Sequence, residues 1–156
     1  VTLVIRAFQP ADFDRLLAIE HAVFPPAIAY PRLELRRFLS SRRCRTLVAE
    51  EEGEVAGFVT GCCEEGEEGL VASLDVAPER QGQGIGSRLL AAMEEWLRGR
   101  GARVLRLETP TQEGEGARRF YERHGYAVEE RLTDYYGGGL DAFRMLKRAE
   151  SGKMTA

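Results

Sequence analysis

The residues Gln81-Gly82-Gln83-Gly84-Ile85-Gly86-Ser87 stand between an apolar run that ends at Val76 and a segment with apolar residues at helical spacing. A chain that leaves a strand through glycines and enters a helix aims several unpaired backbone N–H groups at one point. The helix dipole adds favourable potential for an anion there. Glycines also let phosphate oxygens approach the backbone without meeting a β-carbon. The predicted chemistry is therefore phosphate binding, and spacing sorts the possible loops. A dinucleotide fingerprint needs Gly-x-Gly-x-x-Gly, yet counting from Gly82 or Gly84 brings Ser87 or Leu89 to the last place. A Walker loop needs Gly-Lys-Ser/Thr, which is missing. What remains is Gln/Arg-x-x-Gly-x-Gly/Ala, met by Gln81, Gly84 and Gly86.

Few other residues offer chemistry. Tyr121 carries a hydroxyl at the edge of a helix's apolar face, a position that also suits a packed core tyrosine. His124 shares that face one turn on, just before Gly125, where a histidine commonly caps helix carbonyls. Cys44, Cys62 and Cys63 are odd in number and two are adjacent, so they read as small core residues rather than a disulfide framework, in keeping with a reducing cytoplasm. A nucleophilic role for Cys62 or Cys63 lacks a neighbouring base in sequence. No Cys-x-x-Cys or His-x-x-x-His spacing occurs, and His21 lies far from His124, so no metal site is expected.

The elements that must position these groups follow from periodicity. Residues 1–7 read as a strand and not as a signal peptide, so the expectation is a protein that is not secreted. Phe13, Leu16, Leu17 and Glu20 share a helical face, Phe24-Pro25-Pro26 breaks that helix, and Leu35, Phe38 and Leu39 mark a second short one after Pro31. Residues 45–50, 55–63 and 70–76 read as three strands joined by the acidic turns 50–54 and 64–68. Ile85, Leu89, Met93, Trp96 and Leu97 define an amphipathic helix that stops at Gly99 and Gly101. A strand over 103–108, a helix through Ala117, Phe120, Tyr121 and His124, and strands 126–132 and 142–147 around a loop 133–141 complete the order. This is α+β, one domain over 1–148, with a tail 149–156 expected to be disordered.

With its strand end Val76-Ala77-Pro78, the Gln81–Gly86 pattern resembles the coenzyme A pyrophosphate signature of the GNAT acetyltransferases. The stretch Ala117-Arg118-Arg119-Phe120-Tyr121-Glu122-Arg123-His124-Gly125-Tyr126 looks like that family's second motif, Ala-x-x-x-Tyr-x-x-x-Gly-Phe/Tyr. Along nearly its whole length the chain is similar to ribosomal-protein-alanine acetyltransferases. The resemblance implies the GNAT fold, a mixed, mostly antiparallel sheet of about seven strands flanked by four helices and splayed into a V between strands 4 and 5. It implies acetyl-CoA as cosubstrate, with pyrophosphate on Gln81, Gly82, Gln83, Gly84, Ile85, Gly86 and Ser87. Pantetheine would pair with the backbone of Leu74, Asp75 and Val76. It also implies direct acetyl transfer, with Tyr121 giving a proton to the departing thiolate and Glu108, in its Leu-Glu context, taking one from the amine. Burial beside the splayed gap would raise the proton affinity of Glu108. The chain departs from the family where an asparagine usually stands seven residues before the tyrosine: Gly114 occupies that place. The 108–121 stretch also runs one residue longer, which leaves backbone groups of 109–116 or Gln112 to hold the cofactor there.

Phe24 with Pro25 and Pro26, and Tyr135 and Tyr136 within 134–142, look like the peptide-facing segments of protein N-terminal acetyltransferases, whose aromatics flank the incoming N-terminus. An α-amine, with a pKa of about 8, is partly neutral at cellular pH, whereas a lysine amine at about 10.4 is not. The expected acceptor is thus the N-terminal α-amine of a protein or peptide. A small amine such as a polyamine, or a non-catalytic acetyl-CoA-binding module, stays open. Net charge is −3, so composition gives no reason to expect nucleic acid or anionic lipid as partner, and no apolar run approaches the length of a membrane span. Sequence leaves the oligomeric state open.

Overall fold

The computed structural model describes residues 2–111 and 116–148. Gln112 and Gly114, with the residues of the 149–156 tail, lie outside the described residues. The chain runs β1 (Leu3–Ala7), α1 (Phe13–Val23), α2 (Arg32–Leu39), β2 (Cys44–Glu51), β3 (Glu54–Cys63), β4 (Glu68–Val76), α3 (Ile85–Gly99), β5 (Val104–Pro110), α4 (Gly116–Arg123), β6 (Ala127–Gly137) and β7 (Leu140–Arg148). These seven strands form one sheet in the order β1-β2-β3-β4-β5-β7-β6, with only β4 and β5 parallel. The order and kinds of element match the sequence expectation, including the four helices.

Beside the glycine-rich loop the sheet divides. β4 and β5 pair only from Glu68 to Leu70 and from Val104 to Arg106, while β4 continues to Val76 and β5 to Pro110. A register shift between β3 and β4 at Thr60/Gly61 gives β4 an extra residue and bends it. Beyond Leu70 the two strands part and leave the expected V.

The larger core lies under α3, whose Leu89, Leu90, Met93 and Leu97 are inaccessible to solvent against Val59, Leu105, Leu107 and Met145 of the sheet. The smaller one, under α1, joins Leu16 and Ile19 to Val48 and Phe58. A buried polar tie closes the α3 side. The Tyr126 hydroxyl donates to Glu94 Oε2 at 2.7 Å and Lys147 Nζ donates to Glu94 Oε1 at 2.9 Å, so the carboxylate under α3 has a donor on each oxygen. Gly57 on β3 lets the backbone of β4 lie close, since a β-carbon there would stand 2.6 Å from the Asp75 carbonyl oxygen. Backbone cannot yield as a side-chain tip can. Gly57→Ala is expected to lower stability by about 1–3 kcal/mol, read from the urea midpoint; an unchanged midpoint would show that β3 and β4 can separate freely.

Two sequence expectations are corrected. Cys44 and Cys62 form a disulfide, and only Cys63 is free. The antiparallel register sets Cys44 directly opposite Cys62, a pairing that chain spacing does not display. Residues 133–136 are not a free loop: β6 continues to Gly137, and they form a bulge in its pairing with β7, between Leu132↔Ala142 and Gly137↔Leu140. Asp141 holds the bulge by accepting the Asp134 N–H on Oδ1 at 2.7 Å and the Arg131 guanidinium on Oδ2 at 2.9 Å. These bonds keep the Asp141 carboxyl below the usual carboxylate range, that from the Asp134 backbone first. Asp134 adopts a left-handed φ of 57° and accepts the Gly139 N–H.

Candidate functional site

The turn into α3 is built by its glycines. Gly82 and Gly84 have φ of 80° and 85°, a conformation costly for side-chain-bearing residues, and Gly84 caps the helix with nothing near its missing β-carbon. A cavity of about 560 Å³ opens over this turn. Leu74, Val76, Gln81, Gly82, Gly84, Ile85, Gly86 and Ser87 line it, as sequence anticipates; Gln83 and Asp75 do not. Leu74 and Val76 pack toward the α3 core, whereas the Asp75 side chain meets Glu20 of α1. Thr109, from the stretch 109–116 expected to hold the cofactor through its backbone, also lines the cavity, and sequence reasoning missed Arg80, Phe120 and Arg123, which line it too. The signal for the arginines was basic residues flanking a phosphate loop. Arg80 is held by Glu51 and Glu54, so the acidic turn 50–54 steadies the approach to the loop.

His124 takes the expected capping role: Nδ1 lies 2.7 Å from the Phe120 carbonyl and so carries the proton, which leaves Nε2 to accept the Ser87 hydroxyl at 2.9 Å. It ties α4 to the first turn of α3.

On the other side of the V lies a cavity of about 610 Å³, walled by the α1–α2 connection, β4, β5 and the β6 bulge. Phe24, Tyr135 and Tyr136 all line it, with Glu20, Tyr30, Glu34, Ser73 and Glu108. The bulge brings the tyrosines there, edge-to-face with centroids 4.9 Å apart. Phe24, Leu74, Thr109 and Tyr121 line both cavities, so the two spaces meet at Tyr121. Burial, and then the charge of Asp75, push the Tyr121 phenol well above its ordinary pKa. It therefore stays protonated throughout the neutral range.

Glu108 lines the acceptor groove on the β5 side of the gap. Its side chain is 8% exposed, and Oε2 receives Arg144 Nε at 2.9 Å and lies 3.0 Å from Arg106 Nε. Arg106 in turn donates to Glu68 at 2.8 Å. The carboxylate is thus ion-paired with two guanidinium groups, one on its own strand and one on β7.

Backbone amides at a helix N-terminus, a turn without β-carbons at Gly82, Gly84 and Gly86, and the nearby Arg80 and Arg123 fit a cofactor pyrophosphate, and the cavity leads from there to Tyr121. Comparison with known proteins bears on this geometry. Residues 13–126 match the model of the acetyltransferase (GNAT) family. An uncharacterised N-acetyltransferase of Methanocaldococcus jannaschii is 34% identical over 97% of this chain and 95% of its own length. N-alpha-acetyltransferase 30 of Schizosaccharomyces pombe is 41% identical over 50% of this chain and 51% of its own. Among solved structures, the ribosomal-protein-alanine N-acetyltransferase of Brucella melitensis superposes with a TM-score of 0.78 at 28% identity, covering 93% of this chain and 99% of that one.

Proposed function

The chain belongs to the GNAT acetyltransferase family, and from that premise we propose that this acetyl-CoA-dependent N-acetyltransferase acts on the N-terminal α-amine of a protein or peptide. The observation that carries the proposal is the meeting of two cavities at Tyr121, one over glycine amides and the other walled by Phe24, Tyr135 and Tyr136. The partial likeness to an N-alpha-acetyltransferase and the overall likeness to a ribosomal-protein-alanine N-acetyltransferase support an α-amine as acceptor.

The residues divide the work. The loop from Gln81 to Ser87 holds the pyrophosphate on its N–H groups, and the free edge of β4 at Leu74–Val76 receives the pantetheine amides. The amine enters between Phe24 and the tyrosine pair and attacks the thioester carbonyl. Tyr121 donates its proton to the departing thiolate, and a carboxyl group of the acceptor groove takes the proton shed by the amine. The acidic wall of the groove, Glu20 and Glu34, favours a second reading in which a polyamine is the acceptor.

Two measurements test these readings. Acetyl-CoA at 100 times its dissociation constant should stabilise the fold by about 2.7 kcal/mol, and no thermal shift at saturation would remove the cofactor assignment. Turnover on a panel of N-terminal peptides, lysine peptides and polyamines should favour the N-terminal peptides. Activity confined to polyamines would overturn the α-amine proposal.

A further inference from the structure

Behind the acceptor groove, α1 and β4 bring two carboxyl groups together where almost no water reaches: Glu20 is 2% exposed and Asp75 0%. Asp75 lies within hydrogen-bonding reach of Glu20. Glu20 Oε2 accepts the Tyr30 N–H at 3.0 Å, but Glu20 Oε1 and both Asp75 oxygens have no donor. Three buried acceptors without a donor are costly, and no basic side chain is bonded to either residue among the described residues. The groups near the pair are Tyr30 from the α1–α2 connection and Tyr121 from α4, with Glu34 of α2 on the same groove wall. None is a cation. Two carboxyls in this setting satisfy each other only when a proton bridges them. Glu20 also lines the groove beside Ser73, whose buried Oγ lacks a partner too. Glu20 and Ser73, each with a buried oxygen that lacks a partner, thus line the space where the amine must enter.

We propose that Glu20, backed by Asp75, receives the attacking amine as an ammonium ion and takes its proton. The assignment rests on the amine-acetylating function given above, but not on which amine is used. In the resting protein the pair holds one proton and one negative charge. The ammonium donates to Glu20 Oε1 and Ser73 Oγ, then passes one N–H proton to the pair, which becomes fully protonated. The neutral amine forms the C–N bond and the C–S bond breaks. The second nitrogen proton replaces the one that Tyr121 gives to the thiolate, and the pair releases its extra proton to solvent. The sum is ammonium plus thioester giving amide, thiol and one proton. Burial first, and then Glu20, push the Asp75 carboxyl well above its ordinary range, in keeping with a resident proton. Glu108, already ion-paired with two arginines, lines the groove.

The test is the pH dependence of kcat/KM, measured on whichever panel amine is accepted. Wild type should give a bell that falls above the amine's own pKa, because the amine binds as an ammonium. Glu20→Gln should lose roughly 10²–10⁴-fold at neutral pH, and its remaining rate should climb through the amine's pKa, while Glu108→Gln keeps the bell. A Glu20→Gln enzyme with wild-type rate and profile, or loss of the bell in Glu108→Gln, overturns the assignment. A failure of N-terminal peptides in the panel leaves it standing. A readout independent of turnover guards against misfolded variants: infrared difference spectra of the wild-type protein should show a protonated carboxyl at neutral pH, and its absence overturns the proposal. The sign of stability is fixed as well. A raised carboxyl pKa means the folded state binds the proton more tightly than the unfolded one, so stability falls as pH rises from the ordinary carboxylate value toward the raised one. Asp75→Asn should abolish that fall in urea titrations, and a fall of wild-type size in this variant overturns the resident proton.

Discussion

Tyr121→Phe should lower kcat by roughly 10²–10⁴-fold while the dissociation constant for acetyl-CoA stays within about twofold of wild type. The substitution removes one oxygen at the meeting point of the two cavities and leaves the ring that packs edge-on to Phe120 and Tyr126. Among the described residues the Tyr121 hydroxyl makes no hydrogen bond, so its loss strands no protein partner. The thiolate, however, loses the donor that stays protonated across the neutral range. For the same reason the wild-type rate should show no decline from tyrosine ionisation at mildly alkaline pH. An unchanged kcat in Tyr121→Phe would remove the residue from the mechanism and leave the thiolate to solvent.

Gly84→Val should raise the dissociation constant for acetyl-CoA by about tenfold or more. Two causes act together. A β-branched residue in a left-handed conformation is strained by on the order of 1–2 kcal/mol, and its side chain fills the open space in front of the helix N-terminus. Gly66 provides the control: its φ is 72° and its missing β-carbon also faces open space, but it sits in the β3–β4 turn, at the other end of β4 from the loop. Gly66→Val should cost comparable stability and leave cofactor affinity alone. Equal affinities for the two variants, measured by calorimetry, would show that phosphate does not sit on this loop.

What could be read from sequence follows the range of the interactions involved. The phosphate loop and α3 are legible because their signals are local: glycines at fixed spacing, then apolar residues every three or four positions. Tyr121 is ambiguous alone and becomes legible through the motif around it. Phe24, Tyr135 and Tyr136 are found by likeness, but the device that brings the tyrosines to the groove, a bulge held by Asp134 and Asp141, is a matter of strand register. Register likewise hides the Cys44–Cys62 pairing, since β2 and β3 shift against each other at Ala49/Glu50. The Glu20 and Asp75 carboxyls were invisible as a pair. One reads as part of an amphipathic helix and the other as one residue of a strand, and only the stacking of α1 on β4 joins them. The arginines that claim Glu108 come from its own strand and from β7, whose register against β5 sets Arg144 opposite Glu108.

The brief pairing of β4 with β5 leaves a weak seam in the sheet, bridged on one face by α3, which packs on Val59 and on Leu105, Leu107 and Met145. β1 to β4 with α1 form one block and β5 to β7 the other, joined along the sheet by only the three parallel residue pairs from Glu68↔Val104 to Leu70↔Arg106. Sub-global opening along that seam should need less free energy than global unfolding, so amides of residues 71–76 that face the gap should exchange with deuterium sooner than those toward β3. A ligand lying in the gap and bonded to the β4 edge would stitch the blocks together. Its binding should then appear as slower exchange on both sides of the seam and as a sharper unfolding transition, with the acyl donor acting as a missing strand.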